Sequence, residues 1–395
     1  MKNEKLFLFI LAVTQFTHII DFMIIMPLGT QLMEVFDINP TRFGALVSAY
    51  AAGSFITSFF AAGFADRFDR KQALLFLMSG FTVGTFLCAA TEEYLFFLTA
   101  RFLTGAFGGV ISALTFSIVG DVIPIARRGR AMGWVLTAFS AASVIGVPAG
   151  ILLAEQFGWQ MPFLATGFLG ALMIGVIFRY IPPITGHLTG KAAPRNPVKI
   201  LFRIIRDRNQ LLALAFTVIL MLGHFTVIPF IAPYMQLNIG FTDWQVSYIY
   251  IIGGILSAVL LPIYGKLTDR FGAFRIYVFA TVLALFSIYF ITNLPPVGIP
   301  LALLATSSFF VASSGRTVPA TTMVTSVVKP ETRGSFMSVR SSFREAGLFG
   351  GSLLAGLFIT ENADGSLQGF DTVGWCTIGM SILAVFVARR LKVVG

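Results

Sequence analysis

The sequence predicts an all-α membrane protein, with twelve transmembrane helices in two pseudo-symmetric six-helix bundles. Three observations carry this reading. The 395 residues are 56% hydrophobic and only 12% charged, whereas a soluble domain is nearer a quarter charged. Apolar runs of roughly 20 residues, enough to cross a ~30 Å hydrocarbon core, recur twelve times. Features of the first half return about 205 positions later. The 42 phenylalanines suit a surface facing lipid.

The first six runs lie near 6–29, 43–63, 73–90, 95–120, 132–154 and 161–181. The second six lie near 211–235, 244–264, 274–292, 298–324, 335–359 and 372–391. The loops between them alternate in charge. Arg67, Arg70 and Lys71 follow the second span, and Arg127, Arg128 and Arg130 the fourth. Lys266, Arg270 and Arg275 follow the eighth, Lys329 and Arg333 the tenth, and Arg389, Arg390 and Lys392 the last. The other loops carry acids such as Glu34, Asp37, Glu92, Glu93, Asp243 and Asp364, with Arg42 the lone basic exception. Because basic loops stay on the cytoplasmic side, both termini are expected there, in a bacterial inner membrane. The net charge of +10 is thus a topology signal, and no nucleic-acid partner is expected.

Residues 1–181 form the first bundle, 182–210 a cytoplasmic linker and 211–395 the second bundle. Pro182, Pro183, Gly186, Pro194 and Pro197 interrupt any helix through the linker. Its end sets Lys199, Arg203 and Arg206 on one face against apolar residues on the other. That pattern reads as a short interfacial helix or as a plain basic tether. The repeat shows in Ala65-Asp66-Arg67-Phe68 against Thr268-Asp269-Arg270-Phe271, and in Arg128-Gly129 against Arg333-Gly334. His18 stands nine residues before Pro27, as His224 does before Pro233. A half-length repeat predicts two similar bundles with a site at mid-depth.

Ionisable residues inside the spans mark that site, since each is costly in lipid unless paired, protonated or wetted. In the first span Gln15, His18 and Asp21 recur every three residues and so share a helix face. Asp21 is eight or nine residues from the outer end, roughly 12–13 Å deep, and Arg101 in the fourth span is roughly 10 Å deep. Matched depth predicts that the two pair. A carboxyl held between a cation's attraction and the penalty of burial is placed to load and release a proton. A permanent structural pair is the competing reading. In the second half Arg316, Arg340, Arg344 and Glu345 are buried candidates, and His224 stands at the repeat position of His18. Arg340 and Arg344 share a face, while Glu345 points about 100° from Arg344 and is expected to serve another partner. The positive excess suits an anionic or carboxylate-bearing group. Against this stands a structural role for Arg344 and Glu345, with Arg340 reaching the membrane edge. The two histidines are placed to bind substrate or take up a proton; plain packing remains the alternative.

The loop after the second span, Ala62-Gly63-Phe64-Ala65-Asp66-Arg67-Phe68-Asp69-Arg70-Lys71, resembles the loop signature of the major facilitator superfamily. Gly265-Lys266-Leu267-Thr268-Asp269-Arg270-Phe271-Gly272 is its second copy. Ala62 and Asp69 stand where the family usually has glycine. Physically, Asp66 can face a helix N-terminus, and Arg70 can bridge it to Asp121. Asp66, Arg70 and Asp121, with Asp269 and Arg270 in the repeat, then form a cytoplasmic gate. Arg101-Phe102-Leu103-Thr104-Gly105 resembles the family's Arg-x-x-x-Gly signature, which implies a proton-coupling role for Asp21 and Arg101, with His18 as a relay. Gly146-Val147-Pro148-Ala149-Gly150 resembles the glycine-proline signature of family antiporters. Together with the run from Asp21 to Pro27 it is similar to the drug and sugar efflux branch, including arabinose-efflux-permease-like proteins.

The resemblance implies a proton-coupled antiporter exporting a small organic solute. A proton symporter for a sugar or organic acid and a lipid flippase without proton coupling are the alternatives. The expected partners are the solute, protons and the bilayer, and the chain is expected to be a monomer. No Walker loop or hydrolase triad appears, so an enzyme is not expected. No cofactor and no metal are expected either: Cys88 and Cys376 lie in apolar runs and read as small buried hydrophobes.

Overall fold

The computed structural model describes residues 4–64, 68–185 and 197–394. Among them are twelve long helices. The first six are α1 (Glu4–Ile24), α2 (Pro40–Phe64), α3 (Arg70–Ala89), α4 (Tyr94–Val122), α5 and α6 (Met161–Tyr180). Helix α5 runs over Ile125–Ala141, through a π-helical turn, Ala142–Gly146, into Val147–Phe157. The second six are α7 (Arg208–Leu237), α8 (Asp243–Phe271), α9 (Ala273–Thr292), α10 (Ile299–Thr325), α11 (Pro330–Phe358) and α12 (Phe370–Arg389). A short helix, Gly29–Val35, precedes α2, and another, Pro197–Arg206, precedes α7. Ten of the twelve are long and apolar enough to cross a membrane. The other two, α10 and α11, carry Arg316, Arg340, Arg344 and Glu345.

Local chemistry sets the ends. Helix α8 opens with a capping box: Thr242 Oγ1 accepts from Gln245 N, and Gln245 Oε1 accepts from Thr242 N at 3.0 Å. Asp69 caps α3 through Lys71 N at 2.9 Å, and Asp207 caps α7. Gly158 and Gly272 close α5 and α8 at φ 95° and 89°, a conformation that only glycine adopts without strain. Two helices begin earlier than their apolar runs suggest. Helix α5 opens just after Pro124 and α11 at Pro330, where proline's fixed φ favours a first turn even among charged residues.

The two halves repeat in their packing. Helix α1 packs on α5 and α6, and α3 on α4 and α6. Six helices on, α7 packs on α11 and α12, and α9 on α10 and α12. Inward faces are apolar, as in the cluster of Leu74, Met78, Phe81, Ile111, Leu114 and Ile118. Outward faces remain apolar too, with Phe178 and Phe286 70% and 71% exposed, as a lipid-facing surface requires. Hydroxyls inside the helices bond back to the preceding turn, as Thr14 Oγ1 does to Ile10 O and Thr217 Oγ1 to Ala213 O.

By contacts the chain divides into two units: Met1–Ile24 with Ala49–Ile200, and Ile25–Ser48 with Leu201–Gly395. The segment Ile25–Ser48 joins the second unit through polar bonds. Asp243 accepts from Gln31 Nε2 at 3.0 Å and from Gln236 Nε2, and Thr30 Oγ1 donates to Gln236 Oε1 at 2.9 Å. Thr41 Oγ1 donates to Gly356 O at 2.6 Å, where a Cβ on Gly356 would press on the Pro40–Thr41 backbone.

Candidate functional site

In the first unit, α1 carries Thr14, Gln15, Thr17, His18 and Asp21, all buried. Asp21 and Arg101 are both wholly buried, and Arg101 Nη1 donates to Asp21 Oδ2 at 2.8 Å and to Asp21 O at 3.2 Å. The guanidinium lies over the Tyr50 ring at 4.9 Å and nears the Phe163 ring at 6.0 Å, so aromatic faces share its charge. Thr85 Oγ1 is 3.2 Å from Asp21 Oδ1 and 3.0 Å from Phe81 O. A hydroxyl can donate to the carboxylate, or donate to Phe81 O and accept from a protonated acid. Thr85 therefore suits either state of Asp21.

Glycines admit this geometry. A Cβ on Gly105 would collide with the Tyr50 backbone, and one on Gly53 with that of Phe102. Helices α2 and α4 thus meet backbone to backbone where Arg101 leaves α4. One turn from Asp21, His18 Nε2 is 2.8 Å from Gln15 Oε1, and Gln15 Nε2 donates to Ser112 Oγ at 2.9 Å. The amide oxygen only accepts, so His18 carries hydrogen on Nε2.

Gly146 and Gly150 let α1 approach α5, since Cβ atoms there would meet Ile20 and Ile24. Pro148 has no N–H to give the preceding turn. The ladder instead shifts, with Val147 N bonding Ala142 O in the π-helical turn.

Arg70 Nε donates to Asp121 Oδ2 at 2.9 Å, with Arg70 buried and Asp121 part-exposed. Asp66 lies outside the described residues. In the repeat copy, Asp269 and Arg270 are exposed, and the Arg270 guanidinium stands over Phe271 at 5.1 Å.

In the second unit the arginines separate into different settings. Arg316 is 2% exposed; Nη1 donates to Ser381 Oγ at 3.1 Å and Nη2 to Ser313 Oγ at 3.3 Å. Arg340 Nη2 donates to Thr321 Oγ1 at 3.3 Å. Arg344, 55% exposed at its side chain, pairs with Glu345 Oε1 at 3.1 Å. This corrects the expectation of a separate partner for Glu345: the long arginine side chain folds back across the 100° between neighbours. His224 is half-buried, stacked 6.0 Å from Phe309 and within electrostatic reach of Arg316 and Arg344.

Sequence reasoning missed Tyr50, Thr85, Ser112, Ser313 and Ser381.

The sequence model of the Major Facilitator Superfamily matches residues 11–230 and 214–394. The chain belongs to this superfamily. The inner membrane transport protein YdhP of Escherichia coli O157:H7 is 27% identical over 357 residues, covering 90% of this chain and 88% of the relative. A chloramphenicol resistance protein of Streptomyces lividans is 24% identical over 227 residues, 58% of this chain and 57% of that protein. The crystal structure of a D-xylose–proton symporter matches with a TM-score of 0.77 at 15% identity, over 98% of this chain and 97% of that one. That last likeness establishes the fold alone. As a major facilitator protein with efflux-like relatives, this chain is a multi-pass membrane transporter.

Proposed function

We propose that the chain is a proton-coupled antiporter that exports a small organic solute by alternating access. It would sit in a bacterial inner membrane with both termini cytoplasmic. The observation that carries the reading is the wholly buried Asp21–Arg101 pair. A dry interior tolerates these charges only together. If the cycle parts them, Asp21 takes a proton; if it rejoins them, the proton leaves. Thr85, which can donate or accept, holds the acid in place through both states. The hydrogen-bonded line Ser112–Gln15–His18 offers a polar route beside it. The ion pair Arg70–Asp121 fits one half of a cytoplasmic gate. The glycine-proline segment of α5, closely packed on α1, supports a tight seal against leak. Export gains support from the chloramphenicol resistance relative, and the inner-membrane setting from YdhP.

The test is flux in proteoliposomes under an imposed pH gradient, beside counterflow without one. The parent protein should exchange solute against protons. Asp21→Asn should lose gradient-driven flux at least tenfold while keeping counterflow. Gradient-driven flux equal to the parent's would overturn the assignment of Asp21. Solute moving with protons would establish symport, and flux indifferent to pH would remove coupling altogether.

A further inference from the structure

The second unit holds a buried cation that no acid balances. Arg316 projects from α10 among α9 and α12 at 2% exposure. Its two hydrogen-bond acceptors are the hydroxyls of Ser313 and Ser381, and Nε is buried without any partner. Among the described residues no carboxylate lies within ion-pair distance. Glu345 of α11 is already held by Arg344. Nearby, Tyr277 of α9 is wholly buried, its hydroxyl beside that of Thr281 and within electrostatic reach of the guanidinium.

Withdrawing a guanidinium from water is costly even after relaxation, and neutral hydroxyls offset only part of that. Arg316 keeps its charge at any accessible pH. The structure therefore contains donors in search of an acceptor. A guanidinium edge grips a carboxylate in two parallel bonds, and the buried, unpartnered Nε of Arg316 stands on such an edge. One cation balances one negative charge. A dianion such as phosphate would leave a net charge buried, so a monoanionic carboxylate is the better match.

We infer that Arg316, with Ser313, Ser381 and Tyr277, is the binding site for a monoanionic, carboxylate-sized group of the transported solute. This rests on the reading of the chain as a solute transporter, but not on proton coupling or direction. It also separates Arg316, Arg340 and Arg344 from one another. Arg316, the wholly buried one, binds the anion; Arg340 is half-buried with one bond to Thr321 and an unpartnered Nε, and Arg344 is neutralised by Glu345.

The test needs no transport. The full chain, purified in detergent, is unfolded thermally with its four tryptophans as reporters. Benzoate, acetate, chloride and the neutral amides benzamide and acetamide are titrated at constant ionic strength. Carboxylates should raise the midpoint saturably, and their amides should not. Arg316→Gln should weaken half-saturation at least tenfold, Arg316→Lys should retain part of the effect, and Arg390→Gln should match the parent. Equal stabilisation of parent and Arg316→Gln would place the anion elsewhere and overturn the proposal. So would equal effects of acids and amides, which the parent alone reveals should Arg316→Gln fail to fold. An Arg316-dependent effect of chloride without one of carboxylates would make this an inorganic-anion site and overturn the solute assignment. Loss of pH-driven flux would count against antiport only, leaving these binding results unaffected.

Discussion

Arg101 and Arg316 are both deeply buried arginines, one in each six-helix half, and they have opposite surroundings. Arg101 has a carboxylate at 2.8 Å, a main-chain oxygen at 3.2 Å and an aromatic face at 4.9 Å. Arg316 has two serine hydroxyls. The packing scheme is duplicated between the halves, but the charges are not. About 205 positions beyond Asp21 and Arg101 stand Thr226 and Thr306, both buried hydroxyls bonded back to their own helices. The first half therefore carries a pair balanced in charge, although Nε and Nη2 of Arg101 also lack hydrogen-bond partners, whereas in the second half Arg316 has only hydroxyl acceptors. A balanced pair can be opened and reclosed by motion or by a proton. An unbalanced cation is completed by a ligand.

The largest effects should come from breaking the charge balance. Arg101→Met leaves the Asp21 carboxylate without a counter-charge at zero exposure and should cost about 3–5 kcal/mol. Arg316→Met removes a charge that no acid needs. In the absence of anions its thermal midpoint should match or exceed the parent's, because an apolar side chain of similar length avoids the desolvation cost. Thermal or denaturant unfolding of both variants in one detergent decides the matter. Equal destabilisation would mean that the two sites differ less than their partners indicate.

A second contrast concerns how closely the helices approach. In the first half a Cβ on Gly105 would strike the Tyr50 backbone; in the second, a Cβ on Gly315 would strike the Tyr264 ring. A ring can turn aside, but a helix backbone can move only with its whole element. Gly105→Ala should therefore cost about 2–3 kcal/mol and Gly315→Ala about 1 kcal/mol or less, within the usual range for overpacking. Gly105→Ala should also disturb the Asp21–Arg101 geometry, which counterflow and pH-driven flux measured together would reveal. The reverse order of stabilities would mean that the α2–α4 seam can slide.

The fold was largely legible because lipid imposes a simple rule: apolar runs of spanning length and alternating basic loops. The Asp21–Arg101 contact was legible as well, because two charges at matched depth have few alternatives. What surrounds them was not. Tyr50 and Phe163 look like any membrane aromatics, and Thr85 and Ser112 like the many hydroxyls that bond back to their own helix. Only tertiary packing distinguishes Thr85, which also reaches Asp21, from Thr14, which does not. The Arg344–Glu345 pair was misread because helix geometry fixes where side chains start, whereas a flexible arginine decides where its charge ends. The attachment of Ile25–Ser48 to the second unit had no sequence signal either, since it depends on the amides of Gln31 and Gln236 meeting Asp243.

A third contrast is between partly exposed ion pairs. Arg70–Asp121 has one buried partner, at 5% side-chain exposure against 29%. Arg70→Gln should cost up to about 1 kcal/mol, less at high salt. The expected readout is a small drop in unfolding midpoint that shrinks as sodium chloride is raised. A drop independent of salt would mean that packing of the arginine stem, not its charge, holds α3 against α4.

The smallest effect belongs to Arg344 and Glu345. They are adjacent in sequence, so ordering them brings no distant elements together. The arginine side chain is 55% exposed, so water and salt compete for it. Such pairs contribute between nothing and about 1 kcal/mol, and one between neighbours belongs at the low end. Arg344→Gln should shift stability by less than about 0.5 kcal/mol. Glu345, at 12% side-chain exposure, is the more enclosed partner, so its loss of a cation should be the larger of two small penalties. Glu345→Gln removes that liability, and the double variant should match it rather than sum with Arg344→Gln. Unfolding midpoints of the two single variants and the double variant form a complete cycle. The same variants should leave carboxylate stabilisation within twofold of the parent's. A tenfold loss in Arg344→Gln, comparable with that expected for Arg316→Gln, would make Arg344 part of the anion site and erase the distinction drawn between the second half's arginines.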